Sequence, residues 1–148
     1  MKKIILGILM GMVLMTTSCQ KENVDEWTRF TTFVKEDLIG HYEANPDEKY
    51  YEDYPVQDMT VHRNATVNIR NYSDNLIEVQ VVIPELLNQT FTGTPNVEGY
   101  NSNLLMHNTS CDLILDVYKN DKNQIRLHGS VIEMVGESKI IKVFDVVK

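Results

Sequence analysis

Four stretches of the chain alternate apolar and polar side chains with a period of two. Val67 and Ile69 alternate with Asn68 and Arg70, and Ile77, Val79, Val81 and Ile83 alternate with Glu78, Gln80 and Val82. Cys111, Leu113, Leu115 and Val117 alternate with Asp112, Ile114 and Asp116. Ile125, Leu127, Gly129 and Val131 alternate with Arg126, His128 and Ser130. Successive side chains of a strand point to opposite faces, so each stretch predicts a strand with one buried and one wetter face. Residues 140–147 are apolar on both parities and predict a closing strand covered on both sides. Weaker candidates at 41–44, 56–62 and 103–107 bring the total to about eight strands.

The breaks agree with that pattern. Asn71-Tyr72-Ser73-Asp74-Asn75 and Asn120-Asp121-Lys122-Asn123 read as hairpin loops, because Asn and Asp tolerate left-handed dihedrals and bond their own backbone. Val135-Gly136-Glu137-Ser138 is a third turn, and Pro84 ends its strand because proline cannot donate to a ladder. Residues 84–100 hold Gly93, Pro95 and Gly99 and read as the longest irregular region. Before the strands, Trp27, Phe30, Phe33, Val34 and Leu38 recur at near-helical spacings, which predicts one amphipathic helix over 24–39 ended by Gly40. The whole predicts a mainly β fold. An N-terminal helix precedes an antiparallel meander of about eight strands, and a barrel is favoured over a sandwich.

The first residues follow another rule. Lys2 and Lys3 precede an apolar run over 4–15, then Thr16-Thr17-Ser18 and Cys19. Twelve helical residues span roughly 18 Å, short of a hydrocarbon core of about 30 Å, so the run fits the core of a secretory signal. The order resembles the bacterial lipoprotein signal, whose cysteine is lipidated and becomes the first mature residue. Ser18 and Thr17 suit the positions before Cys19, and Thr16 stands where that family prefers Leu. The resemblance implies a signal peptide over 1–18, a lipidated Cys19 with a linker over 19–26, and a single β-rich domain over 27–148. Gln20, in place of an Asp, implies the outer membrane. Lys21, Glu22, Asp25 and Glu26 resemble signals for export to the cell surface. Two or three acyl chains, at roughly 0.8 kcal/mol per buried methylene, make a permanent anchor.

Removing the signal leaves 130 residues with 12 basic and 21 acidic side chains, a net charge of −9. That balance argues against nucleic acid, whose phosphates reward Lys and Arg. With Cys19 lipidated, Cys111 has no partner for a disulfide, and its place in an apolar alternation predicts a buried, inert thiol.

Glycine, tyrosine and the meander carry a second resemblance. Ile39-Gly40-His41-Tyr42-Glu43 opening a run of about eight strands is similar to the calycin class of small barrels, which includes lipocalin-like lipoproteins. Tyr42 stands where the usual opening has Trp. The resemblance implies a cup for a small apolar ligand.

Candidate chemistry is sparse. His41, His62, His107 and His128 show no metal-ligand spacing, and His128 falls on the outward parity. No cofactor motif is present in the sequence. Asp112 and Asp116 share one strand face, where carboxylates keep a strand soluble and discourage edge pairing. The segment from Asn45 to Pro55 holds Tyr50, Tyr51 and Tyr54 among four carboxylates. Tyrosines of this kind offer rigid contact area with a polar tip, so these three are the candidate ligand-binding residues. The sequence therefore predicts a non-enzymatic, lipid-anchored envelope protein binding a small apolar ligand or a protein partner. The alternative is an accessory subunit of an envelope complex with no ligand cavity.

Overall fold

The computed structural model describes residues 26–46, 59–98 and 103–148. Their elements in order are β1 (Thr28–Arg29), α1 (Lys35–Leu38), β2 (Gly40–Ala44), β3 (Met59–His62), β4 (Thr66–Ser73) and β5 (Leu76–Ile83). Then follow β6 (Leu87–Gly93), β7 (Val97–Glu98), β8 (Asn103–His107), β9 (Cys111–Lys119), β10 (Ile125–Val135) and β11 (Ser138–Val147). The fold is mainly β, as the alternation predicts.

All eleven strands belong to one sheet, with the paired path β6-β5-β4-β2-β11-β10-β9-β8-β7. Two antiparallel meanders, β4 to β6 and β7 to β11, are joined through β2, which pairs with both β4 and β11. β1 extends the edge of β9 beyond β8, and β3 lies parallel to β11 beyond the end of β2. That parallel strand departs from the all-antiparallel expectation. The 56–62 candidate forms a strand from Met59 onward, and residues 56–58 lie outside the described residues.

The core sits on one face. Val67, Ile69, Ile77, Val79, Val81, Ile83, Phe91, Leu113, Leu115 and Leu127 point into it with Tyr42 and Phe144, all essentially inaccessible to water. Val143 to Val146 are buried on both parities, as expected for the closing strand, whereas Ile140 at the start of the same run is exposed. The turns fall at the predicted breaks, but the first is shorter than expected: Asn71 to Ser73 belong to β4, and only Asp74 and Asn75 form the β4–β5 turn. Gly136 takes a left-handed φ of 64° in the two-residue turn between Val135 and Ser138, and Asn123 takes 62° in the β9–β10 loop.

Two expectations are corrected. The 24–39 helix is not formed over its described residues: only Lys35–Leu38 make a helical turn, and Thr28–Arg29 are a strand. Thr28, Thr31, Thr32 and Val34 are β-branched and stiff in a helix, while the open edge of β9 supplies backbone partners. Phe30 N–H donates to Val117 O at 2.8 Å. The aromatic spacing instead lays an extended strap: Phe30 and Phe33 pair at 5.8 Å between ring centroids and pack on the core, with Leu38 buried behind them. Gly40 does follow the residue that caps the turn, Ile39, at a φ of 151°. The C-terminal Lys148 lies across it, with Nζ donating to Asp37 O and Ile39 O at 2.6 and 2.7 Å.

Residues 84–100 are the second correction. They contain β6, whose Leu87 and Phe91 face inward while Asn88, Thr90 and Thr92 face water. Pro84 and Glu85, the latter at a φ of 66°, make a tight turn rather than a long loop.

Candidate functional site

The strand directions divide the molecule into two ends. β1, the β4–β5 turn, the β9–β10 loop, Gly40 and Lys148 gather at one, which is also where the described chain begins. The β5–β6 turn, the β8–β9 turn and the β10–β11 hairpin gather at the other, the distal end. Pairings of β10 with β9 stop at Glu133, and those of β11 with β3 begin at Ile141. Among the described residues, the hairpin from Met134 to Ile140 therefore pairs only with itself. Met134 and Val135 are 62% and 57% exposed, and Ile140 and Leu86 are also exposed at this end. Apolar side chains left in water on a two-stranded ribbon are chemistry that a partner could cover.

Just inside that end the core face turns polar. Glu133 and Lys142 form an ion pair, and the Cys111 thiol reaches the other Glu133 oxygen at 3.7 Å. Burial, with the Glu133 charge adding, pushes the Cys111 thiol up from its ordinary value. The nucleophilic thiolate is thus disfavoured, and the thiol is buried, as its place in the alternation predicts. His62 stands nearby on β3, with Nε2 buried and no hydrogen-bond partner. Burial first and the Lys142 charge second hold its pKa down, so the neutral imidazole is favoured.

The opposite face of the sheet holds a cluster that the alternation does not predict. Asp145 is fully buried there, and Arg126 Nε donates to both of its oxygens at 2.9 Å. Asn45 Nδ2 donates to Asp145 Oδ1 at 2.6 Å. Trp27 and Tyr118 each place a ring 5.6 Å from the Arg126 guanidinium, within cation–π range. His128 sits on the outward parity as predicted, but it is mostly covered and lies 3.6 Å from Asp145. The cover comes partly from the strap, whose Trp27 an expected helix would have placed elsewhere. Arg29 adds an ion pair to Asp116 and a hydrogen bond to Asn103 at 2.9 Å.

The remaining candidates are accounted for as follows. Asp112 pairs with His107 at 2.7 Å and Asp116 with Arg29, so the two carboxylates serve separate contacts on the wetter face. His41 bonds Asn68 at 2.7 Å on the surface. Among the described residues no group of three or more His, Cys, Asp or Glu side chains is placed to hold a metal ion. Among them, too, no helix is long and apolar enough to cross a membrane. Cys19, Tyr50, Tyr51 and Tyr54 lie outside the described residues. The described flanks of the tyrosine segment, Asn45 beside Asp145 and Met59 beside Ile141, both adjoin β11. One signal in the sequence pointed to the Asp145 cluster: a carboxylate within Val143-Phe144-Asp145-Val146, a run read as covered on both sides.

No family model, curated protein or solved structure matches this chain.

Proposed function

We propose that the chain is a bacterial lipoprotein. Residues 1–18 form its signal, lipid on Cys19 anchors it in the outer membrane, and the domain over 27–148 is non-enzymatic and binds a protein partner at its distal end. The observation that carries the binding part is the β10–β11 hairpin, which offers Met134, Val135 and Ile140 to solvent on strands with no other described partner. Among the described residues Tyr42, Phe91, Phe144 and the aliphatic core are essentially inaccessible to water, which supports a protein partner over a small ligand in a cup.

A calycin-like barrel is the finer form of the fold in this reading. Eight longer strands, β2, β4 to β6 and β8 to β11, have the first paired with the last, and the paired path is interrupted between β6 and β8. Side chains bridge that gap: Asn108 Nδ2 donates to Gln89 Oε1 at 3.0 Å and to Thr90 O at 3.2 Å. A Cβ on Gly93 of β6 would lie 3.1 Å from Met106 of β8, so the two strands are in close contact.

The test is a photo-crosslinking amino acid at Met134, Val135 or Ile140 in cells. A stoichiometric protein adduct is the expected result. A monomer that forms no adduct at any of the three positions and co-purifies with a small apolar molecule would overturn the reading in favour of a ligand.

A further inference from the structure

The proximal end also exposes apolar side chains. Val34 and Tyr72 are each 61% exposed. Val34 adjoins Lys35, whose Nζ donates to Asn71 Oδ1, Ser73 O and Asp74 O at 3.1, 3.2 and 2.8 Å, on either side of Tyr72 in the chain. That ties α1, which Val34 precedes, to the β4–β5 turn, which Tyr72 borders. We propose that this end, through Val34 and Tyr72, rests on the surface of the bilayer that holds the lipid, so that the β10–β11 hairpin points away from it. The inference depends on the lipid-anchor reading of Cys19.

The length of chain before the domain argues for the lipid surface as the occupant. Eight peptide steps separate Cys19 from Trp27, a reach of at most about 28 Å at full extension. Trp27 is not free to swing: its ring covers Arg126, and Thr28 and Arg29 pair with Lys119 and Tyr118. The strap therefore leaves the domain from the proximal end. The distal end is farther off. β10 from Ile125 to Val135 makes ten rises of about 3.3 Å, or roughly 33 Å along the strand. Barrel strands tilt by about 35–45°, which brings the two ends to within roughly 23–27 Å along the barrel axis, but a tether that leaves from the proximal end keeps Val34 and Tyr72 nearer the headgroups than the hairpin.

The chemistry of the patch fits the interface. Tyrosine places an apolar ring and a polar tip at headgroup depth, and Val34 adds an apolar contact. Two side chains are too few to hold a protein on a membrane without an anchor, but they orient one already held. The net charge of −9 points to a zwitterionic rather than an anionic surface.

The test uses the full lipidated chain reconstituted in phosphatidylethanolamine–phosphatidylcholine vesicles containing brominated lipid as quencher. A fluorophore is placed on Tyr72→Cys, on Val34→Cys or on Val135→Cys, each in a Cys111→Ala background. All three positions are exposed, so the labels leave the core alone. The expected result is quenching at least about threefold stronger at positions 72 and 34 than at 135. Equal quenching at all three, or stronger quenching at 135, overturns the orientation. Metabolic labelling with an alkynyl fatty acid separates the two ideas. An acylated chain with the wrong quenching order refutes the orientation alone, and a chain without acyl label at Cys19 refutes the anchor and the orientation with it.

Discussion

Gly129 lies on β10 opposite Phe144 of β11 and Leu115 of β9, at the centre of the core face. A Cβ at this position would lie 2.2 and 2.4 Å from Phe144 Cζ and Cε2 and 2.7 Å from Leu115 Cδ2. Comfortable carbon–carbon separation is about 3.5–4.0 Å, so the ring would have to retreat by more than about 1 Å. Phe144 and Leu115 are both fully buried among close-packed neighbours, so neither has an empty direction to take. Overpacking of this kind costs about 1–3 kcal/mol and occasionally more, and a clash with two enclosed side chains belongs at the upper end. Alanine also narrows the unfolded ensemble, which returns about 0.4–1 kcal/mol. The net expectation for Gly129→Ala is a loss of about 2–3 kcal/mol. At roughly 4 °C per kcal/mol for a domain of this size, the midpoint falls by about 8–12 °C.

The assay is thermal and urea unfolding of the domain followed by circular dichroism. A second arm removes the ring. Phe144→Leu carries its own cost, but in its background the added methyl meets a smaller side chain. The double variant should therefore exceed the sum of the singles in stability by at least about 1 kcal/mol. A Gly129→Ala protein within about 0.5 kcal/mol of the parent, or strictly additive singles, would refute the register that sets Phe144 over Gly129.

Arg126→Ala leaves the fully buried Asp145 without its main charge partner and should cost about 3–5 kcal/mol; it should also red-shift the emission of Trp27, the only tryptophan, and an unchanged spectrum would show that the strap does not depend on Arg126. Tyr42 donates to Leu38 O at 2.7 Å, and burial, with Asp37 adding, raises its pKa far above the ordinary value, so the neutral phenol's contribution is intact below about pH 10 and is lost as pH rises beyond it. Tyr42→Phe should cost about 1–2 kcal/mol at neutral pH and flatten that alkaline loss, which an unfolding series from pH 8 to pH 12 reads out. His62 has a lowered pKa, so the unfolded chain binds its proton first and stability falls as pH drops below about 6.5; His62→Gln should shallow that acid limb, and an unchanged slope in urea titrations from pH 7 to pH 4.5 would place its ring elsewhere.

The sheet was legible where a strand buries one face and wets the other. β4, β5, β9 and the first half of β10 alternate, and inward residues such as Val79, Leu113 and Leu127 are the buried ones. The same rule missed β6, because its inward positions are only Leu87 and Phe91, set between Pro84 and Gly93. Two apolar residues four apart among Asn, Gln and Thr suit a strand near the break in a sheet as well as they suit a loop. The helix over 24–39 failed for the opposite reason. Trp27, Phe30, Phe33 and Leu38 are all used, but against different surfaces: Trp27 on Arg126, Phe30 and Phe33 on the core edge, Leu38 inside it. Periodicity reports how often apolar groups recur, and a strap that crosses from one face to another can recur at helical intervals without helical turns.

Parity also misjudges the wet face wherever another part of the chain lies over it. Arg126, His128 and Asp145 occupy outward positions on β10 and β11, which alternation assigns to solvent, yet Arg126 and Asp145 are buried and His128 is mostly covered. The cover is partly the strap that carries Trp27, whose ring lies over Arg126 and whose next two residues pair with β9. A buried carboxylate alone is costly, and so is a guanidinium, but together beneath two aromatic rings they join the start of the domain to its last strand. This makes Trp27 to Arg29 structural. If Cys19 carries lipid, force on the anchor reaches the sheet through Trp27, Arg126 and Asp145, and the cluster fixes which end of the domain the membrane faces. Arg126→Ala should then lower the quenching of a label on Tyr72→Cys in vesicles while leaving Cys19 acylated, which connects the cluster to orientation rather than to anchoring.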